Sequence, residues 1–193
     1  MCANSADLLL TLMTDGQFVS RKENSMSRDR LELAISQIEF ARKYVLQLVE
    51  DIPESDWFRE VSPCPTHLAW QVGHLAMAQY ALTMLRIRGK EREDEEILSK
   101  KFFRSFQKGT TPTFDPAAYP DVQEIRDTLQ RVHETSLREL ETQTDESLDV
   151  PLPEPHAVFS TKLGSIFFCS AHEMLHAGQI GLWRRMSGRG PIR

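Results

Sequence analysis

The chain has 193 residues, enough for one domain whose core needs no disulfide or other staple. Acidic residues outnumber basic ones, 28 to 23, for a net charge of −5. This excludes a nucleic-acid binder built on clustered Lys and Arg, and it gives no support for docking on an anionic membrane surface.

The N-terminus, MCANSADLLLTLMTDGQ, opens with no basic residue and carries Asp7 ahead of its leucines, a poor secretory signal and too short an apolar patch to span a bilayer. Residues 1–26 read as an N-terminal extension, and residues 27–190 as one domain. Three scattered cysteines, Cys2, Cys64 and Cys169, form no disulfide framework, so the expected setting is reducing and cytoplasmic.

From Arg28 to Glu50 the apolar positions Leu31, Ala34, Ile35, Ile38, Ala41, Val45 and Leu48 recur at threes and fours, which predicts a first amphipathic helix stopped by Pro53. A turn-rich stretch with Pro53, Pro63 and Pro65 follows. Thr66 is the expected N-cap of a second helix over 67–89, with Gly89 as its stop. Residues 90–120 form a long crossover in which EREDEEILSKKFF adds a short helix. Asp121 caps a third helix over 122–143, and the proline-bearing segment 144–162 is a loop, in part extended. A fourth helix covers 163–187. No stretch alternates with period two, so the prediction is an all-α four-helix bundle with long crossovers.

The chemical signal is His172-Glu-Met-Leu-His176. Two histidines four apart on a helix differ by ~40° in direction and ~6 Å in height, so both imidazoles can reach one ion from one side. A hydrogen-bonded core histidine is the commoner reading of any one such residue, and six histidines will form such a pair by chance fairly often. On the second helix His74 sits in the apolar stretch TrpGlnValGlyHisLeuAlaMetAla. If helices two and four are neighbours, His74 completes a three-His facial site with open positions, the pattern of a catalytic metal. Gly73 beside it lets another group come close. His67, two turns earlier, is expected at an exposed helix start. His133 is expected near the polar side of helix three, and His156 in the proline-rich loop.

H-E-x-x-H is also the zincin metallopeptidase signature, with Glu173 as general base. Residues 177–193 offer no His, Asp or Glu as the downstream third ligand, which breaks that pattern. In a bundle Glu173 points ~100° away from His172, toward solvent or a neighbouring helix. Cys169 shares roughly the face of His172 and His176, as a small buried hydrophobe or as a ligand or lining group. Gln179, three after His176, can line the pocket or bond a ligand histidine from behind.

The pieces Thr66…Trp70-Gln-Val-Gly-His74-Leu-Ala and His172-Glu-x-x-His176-Ala-Gly-Gln-Ile, then Arg184-Arg185 and Gly188, resemble the DinB/YfiT-like superfamily of metalloenzymes over roughly residues 28–190. That resemblance implies a four-helix bundle with long crossovers, one divalent metal (Zn or Ni) on His74, His172 and His176, and often a homodimer. Its characterised members include thiol-dependent S-transferases and a mycothiol-dependent isomerase, and many others have no assigned reaction. The expected function is therefore metal-dependent S-transferase, isomerase or hydrolase chemistry on a small molecule, with a low-molecular-weight thiol as cosubstrate. A non-catalytic metal- or small-ligand-binding stress protein is the alternative, and a metallopeptidase the remote one.

Overall fold

The computed structural model describes residues 30–192. The expected extension over residues 1–26, and the helix start near residue 28, lie outside them. The fold is all-α. Four long helical runs dominate the described residues: α1 over 30–49, α2 over Leu68–Tyr80 with its continuation, α6 over Val122–Glu141 and α8 over Lys162–Met186. α2 does not stop at Tyr80. It runs through a wider π turn, Ala81–Leu85, into α3, Arg86–Arg88, and ends at Gly89, whose φ of 88° needs a glycine.

Side-chain pairings fix the direction of each helix. Ser170 pairs with Gln37, Glu173 with Arg42 and Arg184 with Leu48, so α1 and α8 run parallel. Gln71 pairs with Gln179 while Ser165 meets Leu82, so α2 and α8 are antiparallel. Gln79 with His133, Thr83 with Ser136 and Arg88 with Glu139 make α2 and α6 parallel. Two consecutive parallel helices need a connection that returns the chain to its starting end, which is why the 90–120 crossover is long. It holds α4, Asp94–Ile97, and α5, Lys100–Phe106, with a single 3-10 turn at Pro116–Ala118. The later loop carries α7, Asp145–Leu148, and one isolated antiparallel bridge between Pro151 and Thr161.

The helix ends follow from local chemistry. Asp121 caps α6 by accepting the Glu124 N–H at 2.8 Å, and Thr161 caps α8 by accepting that of Gly164 at 3.1 Å. Thr66 is not the cap of α2. His67 takes that position, its Nδ1 accepting the Trp70 N–H at 3.1 Å, and the Thr66 hydroxyl instead accepts from the Gln71 amide. The expectation of an exposed His67 is also corrected. Its ring is 0 % exposed, packed among Phe58, Phe114 and Tyr119, because the turn after Pro63 and the end of the crossover fold over it.

Of the predicted α1 stripe, Leu31, Ala34, Ile38, Ala41, Val45 and Leu48 are buried and Ile35 is half-buried. At the centre of the bundle, Arg42 joins all four long helices. Its guanidinium donates to Glu173 at 2.6 Å, to Gln79 at 2.8 Å and to the Leu129 carbonyl at 3.0 Å. An ion pair with both partners 2 % exposed is tolerated there because every donor on that side has an acceptor.

Candidate metal centre

α2 and α8 cross with His74 facing His172 and His176. Their ring centroids are 5.3 Å and 4.8 Å from that of His74 and 4.7 Å from each other. One ring nitrogen from each lies within 4.8 Å of the others. Two ~2.1 Å bonds at a tetrahedral angle hold their nitrogens ~3.4 Å apart, so closing the widest pair onto one ion takes up to about 1.4 Å, shared between two side chains. The three residues could hold a metal ion.

The hydrogen bonds behind the rings choose which nitrogen faces the common point. His74 Nδ1 sits 2.7 Å from the Phe106 carbonyl, and His176 Nδ1 sits 2.5 Å from the side-chain oxygen of Gln71. Both partners are acceptors, so each histidine carries its proton on Nδ1 and leaves the Nε2 lone pair free. Gln71 is itself fixed, its amide donating to Gln179 at 2.8 Å and to Thr66 at 2.5 Å. Trp70 stacks on His74 with planes 9° apart and centroids at 4.7 Å, and its indole N–H donates to Thr110.

Burial keeps the cluster neutral. It lowers His74 below the ordinary histidine range, moderated by the Phe106 carbonyl, and it brings His172 to about 4 and His176 to about 3. The neighbouring imidazoles push His172 and His176 the same way, since a second positive ring here would be repelled. At neutral pH each of the three rings is uncharged and keeps one nitrogen lone pair, which a cation requires.

Gly73 makes the Phe106 contact possible. A Cβ there would lie 2.5 Å from the Phe106 ring, so the glycine admits the end of α5 against α2 and thereby its carbonyl against His74. The sequence raised close approach at Gly73 but gave no sign that the arriving group is Phe106.

The other candidates scatter. Glu173 faces away from the histidines into the bundle and is held by Arg42 at 2.6 Å and 3.2 Å, so its carboxylate is not placed as a general base. Its ~100° offset from His172 along the helix is the reason. Cys169 is buried in the apolar cluster with Leu31, Ile38 and Ile166, and burial pushes its thiol well above the ordinary range. Gln179 stands behind Gln71, one step removed from His176. His133 is half-buried and paired with Gln79.

The open side of the cluster faces a cleft of about 460 Å³. α2 supplies its floor, the 108–110 loop one rim, and His156 with Phe168 the other. That volume suits a small molecule. His156 reaches the cleft although the sequence showed only a histidine in a proline-rich loop. Its ring stacks on Phe159 at 4.5 Å and 16°, which folds the loop back over α8.

No described helix is long and apolar enough to cross a membrane. No curated protein matches the chain. Residues 37–180 match the family model described as the DinB superfamily.

Proposed function

We propose that this chain, which belongs to the DinB superfamily, is a metal-dependent enzyme that joins a low-molecular-weight thiol to a small electrophile, with zinc or nickel on His74, His172 and His176. The observation that carries this reading is the convergence of three neutral imidazoles from α2 and α8 at the inner end of a small-molecule cleft. Three ligands on one side leave positions open toward the cleft, as in catalytic rather than structural sites. When bound, the metal supplies Lewis acidity that favours the thiolate form of a thiol at neutral pH.

The chain's own residues prepare and guard the site. The Phe106 carbonyl and Gln71 hold the Nδ1 protons of His74 and His176, so neither ring can turn its lone pair away. Trp70, stacked on His74, restricts that ring further and closes the wall beside the 108–110 loop. Met77, Ala78, Ala81 and Leu82 line an apolar floor that excludes water from an attacking sulfur. No Asp or Glu lines the cleft among the described residues, so the reaction has to draw on a nucleophile that is already deprotonated. This disfavours the peptidase reading, whose carboxylate base Glu173 is bound to Arg42.

The test is metal content together with thiol transfer on the untagged full-length protein. A cysteine-type thiol and 1-chloro-2,4-dinitrobenzene serve as substrates. The sulfur–carbon bond forms, chloride leaves and the thiol proton goes to buffer. Near-stoichiometric metal with metal-dependent turnover is expected, and both are lost in His74→Ala and His172→Ala. Stoichiometric metal without turnover on any thiol would favour the non-catalytic ligand-binding alternative. Absence of bound metal after incubation with zinc and nickel would end the enzyme reading and the metal-binding form of the alternative.

A further inference from the structure

The cleft beside the three histidines is positively charged within an acidic protein. Its lining includes Arg86, Lys108 and His156 and no carboxylate among the described residues, although the chain's net charge is −5. Arg86 is half-buried, and among the described residues no Asp or Glu pairs with it. Its guanidinium lies over the Phe159 ring, 5.6 Å from the centroid, and its one hydrogen bond is a long 3.5 Å contact to the Glu154 carbonyl. Half-buried Arg88 and Arg189 are answered by acids, Arg88 by Asp94 and Glu139 and Arg189 by Asp56, whereas half-buried Arg126, which lies over Trp57, lines no part of this cleft.

The His156 ring and the Arg86 guanidinium both contact the Phe159 ring, and both residues line the cleft. His156 Nδ1 accepts the Val158 N–H at 3.2 Å. The neutral ring therefore carries its proton on Nε2 and presents a donor, the reverse of the tautomer that His74 and His176 adopt. An arginine without an acid and a histidine presenting N–H are two donors lining one cleft.

The π turn puts Arg86 there. On an uninterrupted α-helix residue 86 would sit about 120° around the axis from His74. One wider turn takes up about one extra residue and returns about 100° of that, which brings Arg86 onto the same face. The turn is stabilised by contacts with other helices, the Leu82 carbonyl accepting from Ser165 at 2.7 Å and the Thr83 hydroxyl donating to Ser136 at 2.9 Å, and by the Thr83 hydroxyl on the Gln79 carbonyl of its own helix. The cleft floor thus runs from His74 across Met77, Ala78, Ala81 and Leu82 to Arg86, roughly 16–18 Å along the axis at ~1.5 Å per residue.

We propose that Arg86, at the end of the cleft floor remote from His74, seats an oxyanion with His156 donating from the rim, so that the small-molecule substrate carries a carboxylate or phosphate separated by an apolar segment from its reacting atom. This rests on the metal-site reading for the identity of the reacting end, and not for the anion seat itself. A guanidinium matches either oxyanion in a bidentate fork, and the apolar floor between the two ends requires an uncharged middle.

Calorimetric titration of the full-length protein with hexanoate, hexyl phosphate and 1-hexanol tests this, in metal-free and zinc-loaded samples whose metal content is measured in parallel. Either or both anions are expected to bind at least about ten-fold more tightly than the alcohol, and their ranking separates carboxylate from phosphate. Arg86→Gln should abolish that preference, Arg86→Lys should keep part of it, and His156→Phe should weaken it while preserving the stack on Phe159. Exposed Arg92→Gln should leave it unchanged. Anions binding no better than the alcohol, failing to bind, or keeping their advantage in a folded Arg86→Gln protein would overturn the proposal. If Arg86→Gln fails to fold, His156→Phe decides it by the same criterion. An anion preference in protein that binds no metal would defeat only the metal reading, and stoichiometric metal without the preference only the anion seat.

Discussion

The Nδ1 of His176 and the side-chain oxygen of Gln71 meet at 2.5 Å across the α8–α2 interface, so a residue one turn before His74 sets the orientation of a histidine on another helix. Groups behind a metal-ligating histidine typically change affinity 10–100-fold. Gln71→Leu should therefore weaken zinc binding by about that factor while the three imidazoles stay in place. Competition with a chromophoric chelator measures it, and unchanged affinity would remove Gln71 from the account of the site.

The Arg42–Glu173 pair makes a contrasting prediction. Both side chains are 2 % exposed, so neutralising one leaves the other charge buried without its partner. Glu173→Gln should cost about 3–5 kcal/mol of folding stability by urea denaturation, with metal affinity largely kept in protein that remains folded. The double change Arg42→Met with Glu173→Leu should recover much of the loss. A Glu173→Gln protein of normal stability but without activity would instead restore the carboxylate as a catalytic base.

Stability should fall between about pH 6.5 and pH 4 in part because of His67. Burial lowers this histidine to about 4 from an ordinary 6.5. The unfolded chain then binds a proton in that window that the folded chain does not, so its contribution is complete above pH 6.5 and declines as the pH drops toward 4. The full effect is on the order of 3 kcal/mol at 1.36 kcal/mol per pH unit. His67→Asn keeps an acceptor for the Trp70 N–H and removes the titration. The difference between wild type and this variant should shift with pH across the window, and a constant offset would contradict it.

Two glycines on the helices that carry the three histidines should respond oppositely to alanine. At Gly73 the new Cβ meets three atoms of the Phe106 ring at 2.5–2.6 Å, and that ring is itself locked against Phe102 and Tyr119. Gly73→Ala should cost about 1–3 kcal/mol and loosen the metal by moving the Phe106 carbonyl. At Gly178, exposed on α8, a Cβ meets nothing within 4 Å. Gly178→Ala should stabilise by up to about 1 kcal/mol through helix propensity alone. Thermal melts of the two variants settle both signs.

Sequence periodicity determined the helical runs, because a buried stripe must repeat at the helical pitch. The α1 stripe from Leu31 to Leu48 and the caps Asp121 and Gly89 were legible for that reason, since each depends only on neighbours within a turn or two. The same local geometry allowed His172 and His176 to share an ion and turned Glu173 away from them. Whether His74 would join them, which nitrogen each ring would offer, and that Phe106 and Gln71 would hold the protons were decided by how α2, α5 and α8 pack. The burial of His67, the arrival of His156 at the cleft and the π turn that brings Arg86 round to the His74 face were decided there too. These depend on contacts between residues far apart in the chain, such as Ser165 with Leu82, and no local pattern of residues encodes which distant group will come to satisfy a freed carbonyl or fill the space beside a glycine.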